Sequence, residues 1–541
     1  MPRGRPRKDA GAGAVTPAPV RKARALKPAA PPRSTAQRLD AIVKSARNKL
    51  RKDKGLDGDT DRLPLLAWLM FLKLLDDVER VRQAEATMEG RPFRAVVDAP
   101  YRWRDWAAPK DGLTGEDLIR FLTAETDALL PSGKRGPGLF ATLRGLRAEG
   151  VRDRRAVVAT VFEGVILKAR SGHILREVVE LVDGIHFDAS DEVFQLSRLY
   201  EGMLRQLRDA AGAAGEYYTP RAVVKFMVKA LDPRLGEVVE DPACGTAGFL
   251  VEAFAHLRDQ RKTAEDERTL QERSLRGGEA KPLPFLLGQM NLLLHGLDAP
   301  EIDPGNALRH KLTEIGEAQR VDVILTNPPF GGEEETSVLD NFPSDKRTSE
   351  TALLFLQLIM RKLRRGGRGR AAVVVPNGTL FEGGIAARIK AEMLESYDLR
   401  AVIRLPEGVF APYTDIPANI LVFATGGPTR EIAYWEQPLP EGRRKYTKTQ
   451  PMLDTELDDA LAWFRAGFPE HPNAWKVAAE GLVTKDAAGR VVGCNLDLKN
   501  PKAAAKEDHR APAAIIAAAI AQEREALRLL EEVRALVGEM A

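Results

Sequence analysis

Apolar residues recur at helical spacing from Ser34 to Ala210. Leu39, Ile42, Val43, Ala46 and Leu50 share one face of a predicted helix, and Leu63–Val78 reads as a second, more apolar one. Leu118–Leu129 and Ile174–Leu181 follow the same pattern, and few strands are evident. After Gly212 the texture changes. Segments at Glu237–Glu240, Ser274–Gly278, Val321–Thr326, Ala371–Val375, Leu399–Leu405 and Asn419–Phe423 read as strands, the apolar run Val321–Thr326 most plainly. Helical patterns near Gly248–Arg258, Pro282–His295, Glu350–Arg364 and Ile385–Ser396 lie between them. This alternation predicts an α/β domain with a doubly wound, mostly parallel sheet. Beyond Gly426 the chain reads as loop-rich. It ends in a predicted helix, Pro512–Glu539, whose stripe of Ile516, Ile520, Leu527, Leu530, Val533 and Val537 suits a partner helix or its own domain.

The expected organisation is therefore a disordered basic tail (1–33), a helical domain (34–210), an α/β domain (211–426), a loop-rich extension (427–511) and a terminal helix for partner docking (512–541). A chain of 541 residues is too long for one ordinary core, which fits this division. The longest strongly apolar stretch, Leu63 to Leu72, is stopped by Lys73 and is too short to span a bilayer, and the basic N-terminus lacks the apolar core of a signal peptide. No membrane association is expected. The two cysteines, Cys244 and Cys494, have no metal-ligand neighbours, so neither structural zinc nor a disulfide framework is expected, and the compartment read from them is the cytoplasm.

A net charge of +4 is small for this length, but its distribution is uneven. Residues 1–33 carry nine basic residues against one acid, Asp9, in a setting of Ala, Pro and Gly. Arg3-Gly4-Arg5-Pro6-Arg7 resembles the core of an AT-hook, although a nonspecific basic tail is the preferred reading; both predict a salt-dependent contribution to DNA affinity. The aromatic stretch Tyr101–Trp106 is read as a satellite packing cluster in preference to a base-stacking surface.

The chemistry concentrates at strand ends. The strand ending at Thr326 runs into Asn327-Pro328-Pro329-Phe330, where two prolines stop sheet pairing and leave an amide and a ring on a rigid turn. In open α/β sheets that edge binds ligands. Plain turn chemistry and an acceptor for a planar base with an exocyclic amine both fit this tetrapeptide. The first α/β strand exits into Asp241-Pro242-Ala243-Cys244-Gly245-Thr246-Ala247-Gly248, a small-residue loop before a helix that suits a nucleotide-like cofactor. It is neither G-x-G-x-x-G nor a P-loop, which disfavours hydride transfer and nucleotide hydrolysis. Glu279 ends the second strand, placed to accept from ribose hydroxyls, and Asn306 stands at the next crossover. Upstream, Gly215-Glu216-Tyr217-Tyr218-Thr219-Pro220-Arg221 precedes a helix, with Thr219 expected as its N-cap and Pro220 as its first residue.

Taken in this order, Gly215–Arg221, Asp241–Leu250, Glu279, Asn306 and Asn327–Phe330 resemble the S-adenosylmethionine-dependent DNA adenine-N6 methyltransferases, and more narrowly the modification subunits of type I restriction–modification systems. Leu39–Glu79, Met290–Gly296, Leu405–Phe410, Pro438–Lys448 and Asn495–Pro501 extend the likeness over nearly the whole chain. The resemblance implies a seven-stranded methyltransferase sheet in 211–426 that binds S-adenosyl-L-methionine. Glu216, Tyr217, Tyr218, Thr219, Pro220 and Arg221 would close over the methionine part of the cofactor. Asp241 with Gly245, Thr246, Ala247 and Gly248 would hold its amino-acid end, Glu279 its ribose and Asn306 its adenine. Position 247 is often Gly in related enzymes, so this loop needs a backbone conformation that Ala tolerates.

The resemblance also implies a catalytic logic. The adenine amine is a poor nucleophile because its lone pair is delocalised. Asn327 and the Pro328 carbonyl would accept its N–H bonds, with Pro329 stiffening the turn and Phe330 stacking on the flipped base. Implied partners are double-stranded DNA, a separate specificity subunit, a helicase–nuclease restriction subunit and a second modification subunit. Only about forty residues separate Phe330 from the next strand, too few for a domain that reads base edges, so target recognition is expected from another chain. Arg443-Arg444-Lys445-Tyr446-Thr447-Lys448 suits phosphate contact or a solvated loop. The alternatives are an Asn-Pro-Pro methyltransferase for RNA or protein glutamine, and a non-catalytic DNA-binding subunit of a defence complex.

Overall fold

The computed structural model describes residues 35–90, 92–147, 153–185, 219–332, 334–411, 414–447 and 449–502, with a few positions between 520 and 529. The N-terminal tail, Glu216–Tyr218 and nearly all of the terminal helix lie outside them. The helical domain is built from α1 (Thr35–Leu50), α2 (Asp59–Met88), α3 (Gly115–Thr123), α4 (Leu139–Arg144), α5 (Arg154–Glu163) and α6 (Gly172–Asp183). Every residue of α2 from Leu65 to Asp76 is buried, so it is the central helix of this domain. Its buried Lys73 pairs with Asp77 at 2.7 Å and its Asp76 with Arg104 at 2.8 Å, which offsets the cost of burying charge. Trp103 and Trp106 are buried and lie 5.2 Å apart, so the Tyr101–Trp106 stretch is packing. The helix expected over Leu118–Leu129 stops at Thr123, and Ala128–Leu129 pairs with Arg135–Gly136 in a short ribbon.

The second half wraps around nine strands: β1 (Val239–Asp241), β2 (Leu275–Gly278), β3 (Ile302–Asp303), β4 (Val323–Thr326), β5 (Arg370–Pro376), β6 (Tyr397–Arg404), β7 (Ala418–Thr425), β8 (Glu431–Glu436) and β9 (Ala474–Ala478). Their order is β9-β8-β6-β7-β5-β4-β1-β2-β3. The sheet is parallel except for β7, which runs against β5 and β6, and β9, which runs against β8. Strand polarity sorts the core onto two faces. Val323 and Leu325 of β4 pack with α7 (Arg221–Leu231) and α8 (Gly248–Arg258), while Ile324 packs with α11 (Thr351–Lys362) and α12 (Gly384–Ser396). Between α8 and α11, α9 (Ala264–Arg273) and α10 (Pro282–Leu294) flank β2.

Two differences from the sequence reading stand out. The stretch after Gly426 is not merely loops: β8 and β9 widen the expected seven strands to nine, and α13 (Asp458–Arg465) sends Leu461 and Trp463 into the core beside α7. In addition, α10 joins the two halves. Its Leu287, Met290 and Leu293 belong to the core of the helical domain, while its Phe285 and Leu292 belong to the α/β core. Asp298 pairs across the same seam with Arg82 at 3.0 Å and Arg154 at 3.4 Å. Among the described residues no helix is long and apolar enough to cross a membrane.

Candidate active site

The chain fills one side of the sheet with β1, β2 and β3, then returns to add β4 beside β1. This reversal makes the carboxyl ends of β1 and β4 a topological switch point, the place where such sheets bind ligands. Thr219, Asp241, Gly245–Gly248, Glu279 and Asn327 are brought together there.

The loop leaving β1 is held from two sides. Glu279, at the end of β2, accepts from the backbone N–H of Gly245 at 3.0 Å and from that of Lys281 at 2.8 Å. From α10, the buried Asn291 donates to the Thr246 carbonyl at 2.8 Å. Gly288, one helical turn before it, lets α10 approach: a Cβ there would stand 3.1 Å from the Gly245 carbonyl and 3.2 Å from Ile302. Gly245 has φ 53° and Ala247 has φ 63°, so Ala247 sits in the left-handed region and caps α8 from there. The conformation that Ala must tolerate is thus a strained one. Gly248 opens onto space, with nothing within 4 Å of where its Cβ would be.

Asp241 is 1% exposed, and the Ala243 N–H donates to it at 3.1 Å. Burial pushes its carboxyl up to about 7, with further push from the charges of Glu279 and Glu240, against the pull of the Thr326 hydroxyl and the Ala243 N–H. On α10, burial lowers His295 to about 4, so this ring is neutral at ordinary pH; its Nδ1 faces the Asn291 carbonyl at 2.7 Å.

At the end of β4 the Asn327 amide nitrogen donates to the Thr219 hydroxyl at 3.1 Å. Its oxygen is buried and has no partner among the described residues. Thr219 does not cap α7. The helix starts at Arg221 with Pro220 as the cap residue, one position later than expected, which frees the Thr219 hydroxyl for Asn327. Pro328 is buried. The half-buried Phe330 meets Phe410 edge-on at 5.5 Å and 74°. Phe410 belongs to the Leu405–Phe410 turn, and the Tyr446 N–H donates to Glu407 of that turn at 3.0 Å. The exposed Lys445 lies 3.9 Å from the Glu407 carboxylate of the same turn, and its neighbour Arg444 is exposed as well.

Two expected cofactor residues are engaged elsewhere. The Asn306 oxygen accepts from Leu308 N–H at 2.9 Å, and its nitrogen donates to Glu334 at 3.1 Å. Arg221 faces Asp454 at 3.7 Å and Glu252 at 4.0 Å. Three contributors escape the sequence reading: Gly288, Asn291 and Phe410. A lone Gly and a lone Asn inside the apolar run Pro282–Leu294 are the available signals for the first two.

The arrangement offers a cradle of small residues, a strand-end carboxylate and an unpaired amide acceptor beside an aromatic ring. Comparisons with known proteins agree with it. The profile of the N-6 DNA Methylase family matches residues 191–495, and that of the HsdM N-terminal domain matches residues 39–144. The chain is 40% identical to the Escherichia coli type I restriction enzyme EcoEI methylase subunit, over 92% of this chain and 98% of that one. It is 31% identical to the EcoKI methylase subunit of Escherichia coli strain K12, over 80% and 77%. A crystal structure from Vibrio vulnificus YJ016, assigned as the modification subunit of a type I restriction enzyme, superposes with TM-score 0.83 at 58% identity, covering 88% of this chain and 99% of that chain.

Proposed function

From the premise that this chain belongs to the N-6 DNA methylase family, among the type I methylase subunits, we propose that it transfers a methyl group from S-adenosyl-L-methionine to the N6 amine of an adenine flipped out of double-stranded DNA. The observation that carries this reading is the Asn327 oxygen, buried without a partner among the described residues while Thr219 holds the rest of the amide. A buried acceptor left open at a ligand-binding edge is poised for an N–H donor.

The cofactor would supply an electrophilic methyl group. On this reading Glu279 faces its ribose, and Asp241 with the Gly245–Gly248 turn holds its amino-acid end. Asn327 and the Pro328 carbonyl accept the two N–H bonds of the target amine. Those acceptors favour a pyramidal nitrogen and stabilise the positive charge that develops as the nitrogen attacks. Phe330, braced by Phe410, stacks on the extruded base. Holding amine and methyl in line supplies much of the acceleration through proximity.

We further propose that the chain works in the cytoplasm beside a specificity subunit that reads the DNA sequence, with a second modification subunit and a helicase–nuclease restriction subunit completing the assembly. A structure from work on the assembly of a type I restriction–modification system is 36% identical over 94% of this chain, with TM-score 0.67. The test is transfer of labelled methyl to duplex DNA and to RNA, with and without a specificity subunit. Asn327→Ala should abolish transfer to DNA while cofactor binding persists. Near-normal transfer by that variant would overturn the assignment.

A further inference from the structure

A concave pocket of about 370 Å³ lies beside the N-terminal ends of β4 and β5, the sheet edge opposite Asn327. Lys311, Arg320, Arg361 and Arg365 line it, with Asp340 as the one acid in its wall. Asp340 is already paired with Arg347 at 2.9 Å. Arg361 shares Glu392 with Lys346, at 3.5 Å and 2.5 Å. Lys311 and Arg365 are exposed and make no ion pair among the described residues. Arg320 is the most informative member. Its side chain is only 11% exposed, and it pairs with the exposed Glu317 at 3.0 Å. Its Nε is buried with no acceptor among the described residues. Four cationic side chains around one paired acid favour an oxyanion in this pocket.

The surrounding sequence extends the charge. Residues 361–370 read Arg-Lys-Leu-Arg-Arg-Gly-Gly-Arg-Gly-Arg, with no acid. Carboxylates from the sheet edge neutralise three of these: Lys362 pairs with Glu240, Arg364 with Asp322 at 2.9 Å, and Arg370 with Glu237 at 2.7 Å. The exposed Arg365 and Arg368 flank the Gly366–Gly367 turn, whose φ values of 74° and 77° suit glycine. The positive surface therefore runs from the pocket out over this turn.

We propose that this pocket binds phosphate, and that the phosphates are those of a DNA backbone lying away from the reacting base. Planar guanidinium forks match phosphate oxygens, and Lys311 and Arg365 carry positive charge that no ion pair among the described residues balances. The continuation over Arg365 and Arg368 suits a row of phosphates. The site is separate from the methyl-transfer edge and stands without the proposed chemistry there.

The test uses the full chain with Lys311→Gln and Arg365→Gln together, two exposed positions whose replacement spares the core. Binding of a random-sequence duplex is followed by fluorescence anisotropy across a salt series, and melting is followed with added inorganic pyrophosphate. The double variant should bind duplex about tenfold more weakly at fixed salt, and its log–log salt slope should flatten by about two, one for each cation removed from the DNA backbone. Pyrophosphate should raise the melting temperature of the parent chain and not that of the variant. A pyrophosphate effect with unchanged duplex binding would assign the pocket to a free phosphate ligand and overturn the DNA backbone as its source. Arg135→Gln with Arg268→Gln removes the same charge at exposed positions outside the pocket. An equal loss in that control, sensitivity confined to an acidic polypeptide such as polyglutamate, or no change in either measurement would overturn the phosphate site.

Discussion

The side-chain amide of Asn327 is anchored by the hydroxyl of Thr219, 108 residues earlier in the chain, at 3.1 Å. With the nitrogen occupied, the oxygen is left buried without a partner among the described residues. One hydrogen bond thus sets which end of a pseudosymmetric amide is left open, the end that on the proposed reading meets the substrate.

Thr219→Val should therefore damage turnover more than binding. The isosteric methyl leaves the Asn327 nitrogen without its acceptor and lets the amide rotate. We expect kcat to fall about 10- to 100-fold, as for other misplacements of a reacting group, with cofactor affinity nearly unchanged. Thr219→Ser should restore most of the rate. Steady-state methylation with cofactor titration decides it, and an intact kcat in the Val variant would show that Thr219 does not orient the amide.

Packing on the back of the Gly245–Gly248 loop leads to a different kind of variant. Gly288→Ala would place a methyl 3.1 Å from the Gly245 carbonyl and 3.2 Å from Ile302. Overpacking of this kind costs about 1–3 kcal/mol, and the atom that must give way belongs to the loop. We expect a cofactor Kd raised about tenfold, equivalent to about 1.4 kcal/mol. Asn291→Leu, which removes the donor to Thr246, should act in the same direction. Calorimetric titration checks both, and unchanged affinities would mean that α10 does not position the loop.

These relationships also show what the linear sequence carries. β4 is legible because it is a short continuous apolar run ended by Asn-Pro-Pro, and β1 and β2 because each stops at a carboxylate or glycine loop before a helical pattern. β8 is hidden because Glu431–Glu436 follows a Gly-Gly-Pro turn with no helix before it. β9 is hidden because an edge strand of five residues, three of them exposed or half-exposed, has a weak pattern. Asp241, Glu279 and Asn327 can be placed from their positions at strand ends. The partners of Thr219, Asn306 and Arg221 cannot, since each depends on an element distant in sequence or on a local turn. The backbone of Ala247 is equally hidden, because alanine is the residue that least advertises a positive φ.

That backbone is testable through stability. Holding Ala247 at φ 63° costs about 1–2 kcal/mol, whereas glycine at the same point costs about 0.5–1 kcal/mol in chain freedom given up on folding. Ala247→Gly should thus stabilise the protein by about 0.5–1 kcal/mol, seen as a higher urea midpoint at unchanged slope. Methyl transfer should be retained. A lower midpoint would mean that the Ala247 methyl contributes more by packing than its backbone conformation costs.

The last prediction concerns Asp241, whose carboxyl is held up at about 7 by burial against an ordinary value of 3.8. The folded state then binds a proton that the unfolded state has released across the window from about 4 to 7. Stability should fall as pH rises through that window, by up to about 1.4 kcal/mol per pH unit, and level off above it. Asp241→Asn removes the titration, so its melting temperature should change less from pH 5 to pH 8 and should exceed that of the parent chain at pH 8. If the ionised carboxylate holds the amino-acid end of the cofactor, the parent's cofactor affinity should improve as pH rises through about 7, while that of Asp241→Asn stays weak and flat. Melting curves and cofactor titrations at matched pH separate the two effects. A variant with the parent's pH slope in both would show that Asp241 is not the group that titrates.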